Sequence, residues 1–157
     1  MLNLCFAKAL YRAPALLLTV IAVSAVAQAD GSLTPDQLAL FQDSSGWEYI
    51  SMGDTDAGIK TQHTCFDGHP HPNTCSGTLT FSPSKTFVQK VFIHHQSVSR
   101  HGTYQLDGNQ LSFFDEFGTR DGPYAVSLDT HKKTLTLAMP HIQIQLLLLK
   151  EYKKQAH

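Results

Sequence analysis

The chain has 157 residues and carries 12 basic against 13 acidic side chains, a formal net charge of −1. So even a balance excludes the broad cationic surface that nucleic acid or an anionic membrane would require. The length suits one domain with a single buried core.

Residues 1–29 stand apart from the fold. Lys8 and Arg12 precede an apolar run over residues 13–26, which closes on Ala27-Gln28-Ala29. This is the pattern of a secretory signal cleaved after Ala29, and the run is shorter than the roughly 20 residues a spanning helix needs. Cys5 lies ahead of the apolar run, so it is not the lipid-modified cysteine of a lipoprotein. The mature chain, residues 30–157, is expected to be a soluble, exported single domain, periplasmic or secreted, with no membrane anchor. Removing the signal makes the charge slightly more acidic and leaves Cys65 and Cys75. In an oxidising compartment a disulfide between them is the default expectation.

Thr34-Pro35-Asp36-Gln37 has the form of a capping box, with Pro35 at the first helical position, and Leu38 and Phe41 then fall on one face of a short helix. Ser44-Ser45-Gly46 ends it. The first strand covers residues 47–52, with Trp47, Tyr49 and Ser51 expected on one side and Glu48, Ile50 and Met52 on the other. Residues 53–58 have turn chemistry, residues 59–64 read as a second strand, and residues 65–75, with Pro70 and Pro72, read as a loop.

Two hairpins follow. Residues 76–81 and 86–95 flank Ser82-Pro83-Ser84-Lys85, with Phe87, Val91 and Ile93 on one face. Residues 101–106 and 110–114 flank Asp107-Gly108-Asn109, whose residues tolerate the positive φ of a tight reversal. Residues 115–122 turn the chain. Strands at 124–128 and 134–139 are joined by Asp129-Thr130-His131-Lys132, and a last strand at 141–149 alternates Ile142, Ile144, Leu146 and Leu148 with Gln143 and Gln145. Residues 150–157 read as a charged end.

Eight or nine short strands joined by tight turns, with no helical crossover, describe an all-β, up-and-down antiparallel meander. Closing it into a barrel removes the two exposed edges that a flat meander would leave. A two-sheet β-sandwich predicts the same strands and alternation and is the alternative.

The short helix, Gly46-Trp47-Glu48, the stretch GTLTFSPSKTF and the stretch GTYQLDGNQLSF together resemble the small exported lipocalin-like (calycin-type) β-barrel domains of bacteria. The resemblance implies a barrel with a cavity for a small apolar ligand, and it implies that Trp47 plugs the closed end beneath the helix. Leu38 and Phe41 are then expected to pack with Trp47 in closing the barrel.

The densest chemical signal is HTCFDGHPHPNTC, residues 63–75. If Cys65 and Cys75 are paired, His63, His69, His71 and Asp67 are the remaining candidate ligands, and their types suit zinc or copper. If the thiols are free, thiolate and imidazole together suit zinc. The bland reading is a proline-stiffened surface loop. His101 with His94 or His95 is a weaker cluster of the same kind. No cofactor is required by any motif, and no catalytic motif is present: there is no Gly-x-Ser-x-Gly, no phosphate loop and no His-Glu-x-x-His. Phe81, Phe87, Phe92, Phe113, Phe114 and Phe117 are first read as barrel filling. Two functions stay open: a binding protein for a small apolar ligand, and a protein-binding module, such as an inhibitor or immunity factor, that uses its outer face.

Overall fold

The computed structural model describes residues 31–54, 61–93 and 96–156. Residues 1–29, read above as a secretory signal, therefore lie outside the described residues. The elements are α1 (Pro35–Phe41), β1 (Trp47–Asp54), β2 (Thr61–Thr64), β3 (Cys75–Phe81), β4 (Thr86–Ile93), β5 (Gln96–Asp107), β6 (Gln110–Asp115), β7 (Arg120–Asp129), β8 (Thr134–Met139), β9 (Ile142–Leu148) and α2 (Leu149–Gln155). Among the described residues no helix is long and apolar enough to cross a membrane.

From β3 to β9 each strand pairs antiparallel with the next, β9 returns to β1, and β1 reaches β3, so eight strands close a barrel and β2 is an extra strand alongside. This closure distinguishes the barrel from the sandwich. Turn chemistry sets the registers: Lys85 takes a φ of 60° in the β3–β4 turn and Gly108 a φ of 59° in the β5–β6 turn. The second hairpin places Leu106 opposite Leu111 and Tyr104 opposite Phe113, which faces all four side chains into the lumen.

One end is plugged. Thr34 and Gln37 form the expected capping box, and the helix they start delivers Phe41 to the lumen, where its ring stacks on Phe81 at 4.0 Å and meets Tyr104 edge-on at 5.7 Å. Trp47 is fully buried beside it, and its indole donates to the Phe41 carbonyl at 3.0 Å. Leu38 does not join them and is 37% exposed. It lies one turn back from Phe41, and on this two-turn helix only the end nearest the barrel covers the lumen. Leu33 and Leu40 pack at the margin instead.

β1 changes partner partway along. Trp47 and Glu48 pair with Leu79 and Thr78 of β3, whereas residues 51–54 pair with β2 on that same edge. The change occurs at Ile50, where the ladder to β9 is also irregular and where the carbonyl accepts from both Cys65 N, at 2.9 Å, and Phe66 N, at 3.2 Å. A one-residue irregularity swaps the faces of everything beyond it. Ser51, expected on the side of Trp47 and Tyr49, therefore points outward to Gln145 at 3.2 Å, while Met52 stands opposite Ile144 and points inward.

The charged end is helical. α2 lies against β1 and β9, Tyr152 packs on Phe66 with ring centres 4.5 Å apart, and Lys150 bonds Asp43 at 2.7 Å.

Candidate functional site

The lumen is filled from the plugged end upward. Phe81, Phe87, Phe113 and Tyr124 contact one another in a chain of rings, with centre distances of 6.0, 4.8 and 5.8 Å for the Phe81–Phe113, Phe87–Phe113 and Phe113–Tyr124 pairs. These aromatics are core. Phe117 is not: it is 85% exposed in the β6–β7 turn, where the Asp115 carboxylate accepts from the backbone N–H groups of Phe117 and Thr119.

Above the aromatic fill the inward positions become polar. Gln89 of β4 stands opposite Arg100 of β5, and Asp121 of β7 stands opposite Phe113 of β6, so all three belong to the inner face. Gln89 donates to the Tyr49 hydroxyl at 2.7 Å, joining β4 to β1. Arg100 donates to Asp121 at 2.8 Å, joining β5 to β7, and the Tyr124 hydroxyl donates to the other Asp121 oxygen at 2.8 Å. Together these form a polar layer across the barrel. Burial pushes the Tyr49 hydroxyl up to about 12. The Tyr124 hydroxyl is also raised, by burial and by its bond to the Asp121 carboxylate. Both phenols are therefore protonated at neutral pH, and the layer is held by neutral donors around one ion pair.

Beyond the layer the barrel opens. Val98 stands opposite buried Val91, hence inward, yet it is 43% exposed. The side chains of Arg100 and Asp121 are each 29% exposed. Inward side chains reach solvent only through an open mouth. At that end Met52, Gly53, Asp54, His63, Ile93 and Ile142 line a recess of about 350 Å³. His63 stands opposite Met52 in the β1–β2 pairing and so belongs to this mouth.

The loop after β2 is closed by a Cys65–Cys75 disulfide, with the Cα atoms 4.8 Å apart. It ties the end of β2 to the start of β3, and it points to an oxidising environment. A bridge between Phe66 and Pro70 and a φ of 102° at Gly68 fold the loop tightly. Asp67 thereby meets the His71 ring at 3.0 Å and accepts from the His69 backbone at 3.3 Å. The His71 bond, more than the backbone one, holds the Asp67 carboxyl below its usual range. Among the described residues no group of three or more His, Cys, Asp or Glu side chains is placed to hold a metal ion. The candidate ligands are thus divided: Asp67 and His71 pair in the loop, and His63 sits on β2 at the mouth. His101 pairs with Glu116 at 3.2 Å, and His94 and His95 lie outside the described residues.

Comparison with family models, with curated proteins and with solved structures found no match. The site therefore rests on its own geometry. Gln89, Arg100, Asp121 and Tyr124 did not stand out as site residues in the sequence. Charged residues in a strand read as solvent-facing, residues 96–100 fall between the strands read at 86–95 and 101–106, and residues 120–122 belong to the turn read at 115–122. The available signal was parity: continuing the alternation of Tyr104 and Leu106 back along β5 places Arg100 on the inner face.

Proposed function

We propose that this is an exported, non-catalytic binding protein of lipocalin-like architecture that holds a small, largely apolar molecule in the mouth of its barrel. One observation carries the reading: the lumen is filled only as far as the polar layer, whose Arg100 and Asp121 side chains reach solvent, as does inward-facing Val98 above them. Apolar Met52, Ile93 and Ile142 beside polar Asp54 and His63 form the mixed lining common in small-molecule sites, in a recess of about 350 Å³ at the small end of their range. The signal-like residues 1–29 and the Cys65–Cys75 bridge support export to a periplasmic or extracellular space.

Native mass spectrometry of the protein exported by its own host tests this. The expected result is a retained small-molecule mass that disappears in Met52→Trp, where an indole fills the recess. A ligand-free spectrum for the wild type, or a retained mass unaffected by Met52→Trp, would overturn the reading.

A second reading, a protein-binding module using the outer surface, is favoured by Phe117, which is 85% exposed in a turn organised by Asp115. Large exposed aromatics of this kind often anchor interfaces. Loss of a co-purifying protein on Phe117→Ser, with the retained small molecule unchanged, would support it.

A further inference from the structure

We propose that Arg100 and Asp121 are the polar anchor of this mouth, and that the ligand is an uncharged molecule with a hydrogen-bonding end, such as an amide, ketone or alcohol, which enters polar end first. The inference rests on the reading of the mouth as a small-molecule site.

Pairing places both residues on the inner face, and their 29% exposure comes through the open end. They sit where the aromatic fill stops, so a molecule entering past Met52 and Ile93 would run along Val91 and Val98 and then reach Arg100. Stability alone does not account for them, because an ion pair taken out of water is commonly matched or exceeded by apolar side chains of similar size. The pair is also fixed in advance. Tyr124 holds the second Asp121 oxygen at 2.8 Å, and the first accepts from Arg100 at 2.8 Å, so both carboxylate oxygens are held. Such support is what a binding group needs if it is to recognise a partner without reordering.

The charge of the pair selects the chemical class. Arg100 and Asp121 cancel, so a carboxylate or ammonium head would bring an uncompensated charge into a half-buried site. An amide or alcohol brings no such charge and can use the guanidinium as donor and the carboxylate as acceptor. The apolar body then lies along Met52, Ile93 and Ile142.

The test uses three probes with the same six-carbon chain and different heads: hexanamide, hexanoate and hexylammonium. Each is titrated into the disulfide-intact protein while the Met52 and Ile93 amides and the Arg100 Nε–Hε signal are followed by NMR. Hexanamide is expected to shift all three signals and to bind about tenfold more tightly than either ion. Asp121→Asn, which leaves the guanidinium uncompensated, is expected to move the preference to hexanoate. Arg100→Gln is expected to move it to hexylammonium. Equal affinities for the three heads, with the Arg100 signal unmoved, would overturn the anchor while leaving the mouth as a site. No shift at Met52 and Ile93 with any probe would instead remove the mouth reading itself. If either variant fails to fold, the order of the three probes on the wild type still decides.

Discussion

The indole nitrogen of Trp47 donates to the backbone carbonyl of Phe41 at 3.0 Å, six residues back along the chain. The side chain that opens β1 therefore holds the residue that ends the plugging helix, and plug and barrel are one packed unit. Trp47→Ala should cost about 3–5 kcal/mol in denaturant unfolding, as large aromatic deletions in cores do. Trp47→Phe should restore most of the packing yet remain about 1–3 kcal/mol below wild type, because the buried Phe41 carbonyl loses its donor. A loss under about 1 kcal/mol for the alanine variant would show that this end is not closed by Trp47.

Glu48 lies buried on the outer side of β1 and accepts from the Gly77 backbone N–H at 3.1 Å. Burial pushes its carboxyl above the ordinary value of 4.5, against the opposing effect of the Gly77 bond. Below the ordinary value folded and unfolded states are both protonated and there is no penalty. As pH rises the unfolded chain ionises first, so stability falls through the raised folded value. Glu48→Gln keeps an acceptor for Gly77 and removes the charge. Its urea midpoint should match wild type near about pH 4 and exceed it near about pH 7. Equal midpoints at both would show that the carboxylate is solvated.

Asp43 has the opposite sign. Its bond to Lys150, then its bond to the Ser45 hydroxyl, holds the carboxyl well below the usual range, at about 2. The contribution is present above the ordinary 3.8 and is lost as pH falls toward about 2. Lys150 is half exposed, so solvent screening leaves about 1 kcal/mol for the whole arrangement. Asp43→Asn should lose that amount near about pH 6 and nothing near about pH 2, measured by urea midpoints.

The Cys65–Cys75 bridge closes a loop with a sequence separation of 10, which corresponds to about 2–3 kcal/mol. The double serine variant should lose that much at neutral pH while keeping the barrel's far-ultraviolet circular dichroism. Unchanged stability would mean the loop is ordered without the bridge.

Much of this architecture was legible where one face alternates. Ile142, Ile144, Leu146 and Leu148 identified their inner face, and Asp107-Gly108-Asn109 fixed a register that placed Tyr104 and Phe113 together. Legibility failed where alternation carried the wrong polarity. The first half of β5, with Ser97, Ser99 and Arg100, offers little apolar signal, so that strand starts five residues earlier than its pattern suggested. The shift at Ile50 is invisible to a period-two reading, yet it decides that Met52 rather than Ser51 enters the mouth. α2 was hidden because the apolar residues of β9 run on into Leu149, and the helix follows without a side-chain cap. The polar layer was missed for a related reason: its members are far apart in sequence, and only the closed ring brings them together.

Closure of that ring is uneven. β9 pairs with β1 from Trp47 to Asp54, whereas β3 meets β1 only through Trp47↔Leu79 and Glu48↔Thr78 before β2 takes over the edge. The β1–β3 junction is a seam, and the disulfide, the Ile50 carbonyl and the Glu48–Gly77 bond all lie beside it. Amide exchange should reveal it as the first part of the ring to breathe, with Ser76 and Gly77 opening well below the global unfolding free energy and Leu135 and Leu146 only at it. Reducing the bridge should accelerate exchange at the seam and leave the β7–β8–β9 side unaffected. The mouth would then widen from one flank, and the width of the opening would be tied to the redox state of the bond that joins the end of β2 to the start of β3.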